Sequence, residues 1–91
     1  MKYSVKTTKR FDKKLKKLDR PAQILILTYI FKNLEGSSNP YQKGKALTGT
    51  LQGIWRYRVA DYRLLVEIKD EELIIFALDI AHRREIYSSF C

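Results

Sequence analysis

The residues able to do chemistry fall in two stretches. Arg56, Arg58 and Arg63 lie within WRYRVADYRLL, and His82, Arg83, Arg84 and Tyr87 lie within the closing HRREIY. Convergent guanidiniums bind phosphate through forked, bidentate hydrogen bonds, and a tyrosine ring can stack on a base. Other chemistries lack parts. His82 is the single histidine and Cys91 the single cysteine, so no metal-ligand set is expected, and no cofactor. No carboxylate pair is placed for acid–base work, and no Ser-His-Asp motif is present. His82 itself reads as a structural hydrogen-bonder or as a base. What positive charge alone can assist is metal-free RNA cleavage. There a 2′-hydroxyl attacks the adjacent phosphate and negative charge builds on the non-bridging oxygens, where fixed arginines stabilise it. A general acid and base would add about 10²–10⁴-fold each. The competing reading is a basic surface that only binds a duplex or an acidic protein.

These arginines need a strand pair to share a face. With Ala60-Asp61 as a two-residue hairpin loop, Val59 faces Tyr62, Tyr57 faces Leu64 and Trp55 faces Val66. All six are apolar or aromatic and suit a helix-covered face. On the other face Arg58 lies opposite Arg63 and Arg56 opposite Leu65. Like charges directly opposite repel, and Glu67, diagonal to Arg56, cannot neutralise three guanidiniums. An apolar run over 73–80 reads as a central strand buried on both faces, with Lys69-Asp70-Glu71-Glu72 as the turn before it. It leads into the tail, where a short C-terminal helical turn is expected.

Upstream, residues 2–7 alternate as a short strand, and Thr7 or Thr8 can cap a helix. Phe11, Leu15 and Leu18 then form one apolar stripe. Lys13, Lys14, Lys16 and Lys17 cover the rest, as a solvated face or as phosphate contacts. Asp19-Arg20-Pro21 breaks the chain and starts a second helix over 21–35, ending at Gly36. That helix is apolar on more than one face. Either a partner covers part of it or the first helix packs closely on it. Residues 36–50, containing Lys43 and Lys45, read as a long polar loop. The expected architecture is α+β: a mostly antiparallel four-stranded sheet with two N-terminal helices on one face, in the order β-α-α-β-β-β, as a single domain over 1–91.

Composition narrows the partners. The chain has 91 residues and a net charge of +8, from 18 Lys and Arg against 10 Asp and Glu, which favours polyanions or acidic proteins. The apolar stretch over 24–34 is too short to span a bilayer, which takes about 20 residues. No secretory leader is visible, and one cysteine forms no intramolecular disulfide. A reducing cytoplasm is the expected compartment, with no membrane partner.

The chain resembles, along nearly its whole length, the RelE branch of the RelE/ParE toxin superfamily. The resemblance rests on KRFDKKLKKL over 9–18, KALTGTLQGIWRYRV over 45–59, DYRLLVEI over 61–68, the apolar third strand and HRREIY over 82–87. It implies the toxin of a type II toxin–antitoxin system: a metal-independent endoribonuclease (an mRNA interferase) that enters the A site of the 70S ribosome, cuts mRNA within the codon and stops translation. It also implies an acidic RelB-like antitoxin that wraps the toxin, with operator DNA reached only through that complex. Carried over residue by residue, the catalytic positions fall on Arg56, Arg58, Arg63, Arg83 and Tyr87, with His82, Arg84 and Lys45 as accessories. Lys13, Lys14, Lys16, Lys17 and Lys43 would grip ribosomal RNA phosphates. The best-known RelE pattern has lysines where Arg56 and Arg58 stand. Arginine stays charged, so these two suit charge stabilisation, and Tyr87 or His82 becomes the candidate proton carrier. The ParE branch shares the fold but inhibits DNA gyrase without cutting RNA; HRREIY favours the nuclease. A non-catalytic rRNA-binding protein is the third reading.

Overall fold

Thr8 and Asp19 start the two helices. In the computed structural model, which describes residues 2–47 and 53–82, the Thr8 side chain accepts from the Phe11 amide at 3.3 Å, opening α1 (Lys9–Lys17). Asp19 accepts from the Ala22 amide at 3.2 Å, opening α2 (Arg20–Tyr29), with proline in its first turn. Each side chain satisfies an amide that has no carbonyl partner within its helix. α2 does not run as one regular helix to residue 35. It continues as a π-helical turn, Ile30–Leu34, closed by the Glu35 amide on the Ile30 carbonyl at 2.8 Å. Gly36, at φ 79°, then reverses the chain, as expected of a helix C-terminus.

The strands are β1 (Ser4–Thr7), β2 (Lys45–Ala46), β3 (Trp55–Val59), β4 (Tyr62–Lys69) and β5 (Ile74–His82). They form one sheet in the order β1-β5-β4-β3-β2, with β1 parallel to β5 and every other pair antiparallel. Pairing of β3 with β4 follows the register read from the sequence: Val59 with Tyr62, Tyr57 with Leu64, Trp55 with Val66 and Arg58 with Arg63. Phe11, Ile26, Ile30 and Leu34 bury against Tyr57, Val59, Leu64, Val66, Ile75, Ala77 and Ile80. Each such large side chain contributes about 1.5–3 kcal/mol by leaving water.

The sheet departs from the expected one. It has five strands among the described residues, not four, because Lys45 and Ala46 pair with Arg56 and Trp55. The stretch read as a plain loop also holds a 3₁₀ turn, Pro40–Gln42. β5 carries a bulge: Val66 pairs with Ala77 but Leu65 with Asp79, leaving Leu78 as the extra residue. The Thr8 hydroxyl donates to the Ala77 carbonyl at 2.9 Å, with the Leu78 carbonyl at 3.3 Å, so the α1 cap also braces the bulge. β5 extends to His82, beyond the expected end at 80. The expected helical turn in the tail lies outside the described residues.

The over-apolar α2 is not covered by α1. Ile24, Leu25, Leu27 and Phe31 are exposed, Phe31 by 69%. No described helix is long and apolar enough to cross a membrane.

Candidate nucleic-acid interface

β3 and β4 place the arginines. Arg58 and Arg63 are directly opposite, and Arg56 lies two residues along β3 on the same face, opposite Leu65. Arg58 is exposed, while Arg56 and Arg63 are half-buried, with Nη1 of Arg63 shielded from solvent. Directly opposed like charges cost stability, a cost that a bound anion between them would remove. Glu67, diagonal to Arg56, pairs with Lys69 at 3.4 Å.

A loop is clamped across the end of β3. The Trp55 indole donates to the Lys43 carbonyl at 2.7 Å, and the Tyr41 ring meets Trp55 edge-on at 5.0 Å. The buried Tyr57 hydroxyl donates to the Pro40 carbonyl at 2.5 Å. Gly44, at φ 84°, presses against β3; a Cβ there would meet the Arg56 carbonyl, Trp55 Nε1 at 2.7 Å and Tyr57 Cδ1 at 2.9 Å. Only glycine combines that φ with that closeness. Lys43 Nζ donates to Asn33 Oδ1 at 2.6 Å, and Asn33 Nδ2 donates to the Tyr29 carbonyl at 3.3 Å. The result is an open cleft of about 340 Å³ lined by Tyr29, Lys43, Gly44, Lys45, Arg56 and Arg58. Four of the six are cationic and none is acidic.

The phenols of this region hold their protons. Burial first, then the hydrogen bond to Asp70, pushes Tyr41 up to about 12. Burial also raises Tyr29 and Tyr57. None of the three serves as a base near neutral pH.

A second basic surface runs along α1. Lys9, Arg10, Lys13, Lys14 and Lys17 line a depression of about 320 Å³. Beneath it lies Asp79, 1% exposed, with Arg10 Nε at 2.9 Å and Lys14 Nζ at 3.9 Å. Lys14 is therefore partly engaged in tying α1 to β5, whereas Lys13, Lys16 and Lys17 are exposed. Lys16 lines neither depression. His82 belongs to this side, where its ring meets Tyr62 edge-on at 5.2 Å in a hollow shared with Lys14, Lys17 and Leu18.

The structure thus joins Arg56 and Arg58 with Lys43 and Lys45, sets Arg63 across from Arg58, and groups Lys13, Lys14 and Lys17 apart from them. Arg83, Arg84 and Tyr87 lie outside the described residues. Sequence reasoning missed Tyr29 and Asn33. Their i, i+4 spacing on α2 was visible, but their link to Lys43 depends on a loop that is distant in the chain.

This topology is the RelE-type toxin fold. A chain of the toxin–antitoxin complex RelBE2 from Mycobacterium tuberculosis is 31% identical with TM-score 0.82, the match covering 91% of this chain and 100% of that one. The isolated Escherichia coli RelE toxin is 21% identical with TM-score 0.68, covering 97% and 94%. A chain of the RelE–RelB complex from Pyrococcus horikoshii is 23% identical with TM-score 0.67, covering 91% and 97%. No curated protein matches. The family model for the ParE toxin of the type II toxin–antitoxin system parDE matches residues 5–87. The chain belongs to this toxin family, within the RelE/ParE superfamily.

Proposed function

We propose that this toxin is a metal-independent endoribonuclease that cuts mRNA in the ribosomal A site. The observation that carries the reading is the Arg58–Arg63 pair, opposed across the hairpin with Arg56 on the same face. Such a set binds a phosphate and stabilises the charge that grows on it as the 2′-hydroxyl attacks. Arg83 and Tyr87 complete the set, Tyr87 stacking on a base or carrying a proton. Lys13, Lys16 and Lys17 on α1 hold ribosomal RNA through its phosphates. The toxin acts in the cytoplasm, and an acidic RelB-like antitoxin neutralises it, as the complexes of its structural relatives suggest. Induced in cells, the wild type should give codon-positioned breaks by primer extension. Arg63→Ala and Arg83→Ala should give none while still binding antitoxin. Full toxicity in both variants would sink the assignment.

A second reading is favoured by the family model that matches, described for ParE: an inhibitor of DNA gyrase that cuts no RNA. It predicts a DNA-damage response without mRNA breaks.

A further inference from the structure

The arginine pair can hold one phosphate, yet the basic surface continues past it. Lys45 pairs with Arg56 from β2, at the far side of β3 from Arg63. Arg63 and Lys45 are therefore two strand spacings apart across the sheet and two residues apart along it, roughly 12 Å. That span separates one or two nucleotide units of an extended strand. Because β2 is two residues long, it pairs only with Trp55 and Arg56, and the cleft opens beside the remainder of β3.

The cleft is built rather than incidental. Gly44 lets the loop lie flat on β3, and the Trp55 indole holds the Lys43 carbonyl. Asn33 fixes the Lys43 ammonium at 2.6 Å and is itself held by the Tyr29 carbonyl. Lys43 and Lys45 thus line one cleft with Arg56 and Arg58. Tyr29, half-buried with its ring 5.8 Å from that of Tyr57, also lines the cleft and offers an aromatic surface of the kind on which a base stacks.

We propose that the cleft between Tyr29, Lys43, Lys45 and Arg58 is a second RNA subsite, which takes the backbone phosphate of a nucleotide neighbouring the scissile one, with Tyr29 against its base. The subsite rests on the nuclease reading for its substrate. Its role is positioning: Lys43, Lys45 and Tyr29 fix the strand so that the bond to be cut lies at Arg58 and Arg63.

The test uses the purified toxin and a 2′-O-methyl trinucleotide, which lacks the attacking hydroxyl. Trp55, the only tryptophan, reports binding because its indole is bonded to the Lys43 carbonyl. Lys43→Gln/Lys45→Gln should bind the trinucleotide more weakly than the wild type. The slope of log affinity against log salt should shrink by about 0.7, the value for one phosphate charge neutralised on a single strand. Lys2→Gln/Lys6→Gln, which removes the same charge in and just before β1, on the opposite edge of the sheet from β2, should leave the slope unchanged. Tyr29→Leu should weaken the trinucleotide without changing the slope. Equal slopes in the wild type and Lys43→Gln/Lys45→Gln, or a mononucleotide bound as tightly as the trinucleotide, would overturn the subsite. Loss of the slope in that variant, together with no mRNA breaks by the wild type on ribosomes, would overturn the nuclease reading and leave the binding cleft standing.

Discussion

The indole of Trp55 holds the carbonyl of Lys43 at 2.7 Å, and through that bond a strand of the hairpin sets the height of the loop carrying Lys43 and Lys45. Gly44 lies between them at φ 84° with no room for a Cβ. Gly44→Ala should therefore lose about 2 kcal/mol or more, combining the left-handed backbone cost of about 1–2 kcal/mol with a clash against β3. Chemical denaturation checks the loss. Trp55 emission should shift toward that of a solvated indole in the folded variant. A variant as stable as the wild type, with unchanged emission, would show the loop is not clamped this way.

Arg58 separates function from stability. It is exposed and stands opposite another arginine. Arg58→Ala should leave stability unchanged or raise it by a few tenths of a kcal/mol, since a like-charge pair is relieved. On the proposed mechanism it should cut the rate of mRNA cleavage by about 10²–10³-fold, the usual cost of one donor to a developing oxyanion. A parallel fall in both quantities would instead make Arg58 a structural residue.

Tyr41 gives the molecule an alkaline limit. Its hydroxyl hydrogen bonds to both oxygens of Asp70 at 2.9 Å, and burial with that bond pushes its pKa up to about 12. The folded state keeps this proton where the unfolded chain, near 10, has lost it. The contribution to stability is thus whole below pH 10 and is lost as pH rises from 10 through about 12. Tyr41→Phe should flatten the alkaline fall in unfolding midpoint without altering its neutral plateau by the same amount. Tyrosinate absorbance in the native protein should lag that of the unfolded chain.

The hairpin was legible because period-two alternation and a two-residue loop fix which side chains oppose which. Arg58 against Arg63 required nothing further. β2 was not legible: Lys45 and Ala46 have no strand pattern of their own, and they pair because Trp55 and Gly44 fasten the loop to β3. The bulge at Leu78 was hidden in an unbroken apolar run, where one extra residue leaves no mark. It nonetheless decides which lysine of α1 is engaged, since it accompanies Asp79 reaching Arg10 and Lys14. The lysine run alone could not show that Lys14 faces a buried carboxylate while Lys13, Lys16 and Lys17 face water. The excess of apolar residues on α2 was visible from the start, but which of them stay uncovered needed the packing of α1.

That uncovered set supports a prediction about neutralisation. Ile24, Leu27 and Phe31 follow one another at three- and four-residue intervals along α2 and its π-helical extension, with Leu25 beside them, and all four are exposed. Exposed apolar side chains grouped on one element mark an interaction site more often than scattered ones do. The chain's charge of +8 favours an acidic partner, and an amphipathic helix is the form that fits a helical apolar stripe. Ile24→Ser/Phe31→Ser removes apolar surface that the fold does not bury, so the unfolding midpoint should hold and growth arrest on induction should persist. Co-expressed antitoxin should fail to rescue the cells, and the affinity of the purified pair should fall by about 30-fold or more if both are anchors worth over 1 kcal/mol each. Full rescue with unchanged affinity would place the antitoxin elsewhere on the toxin.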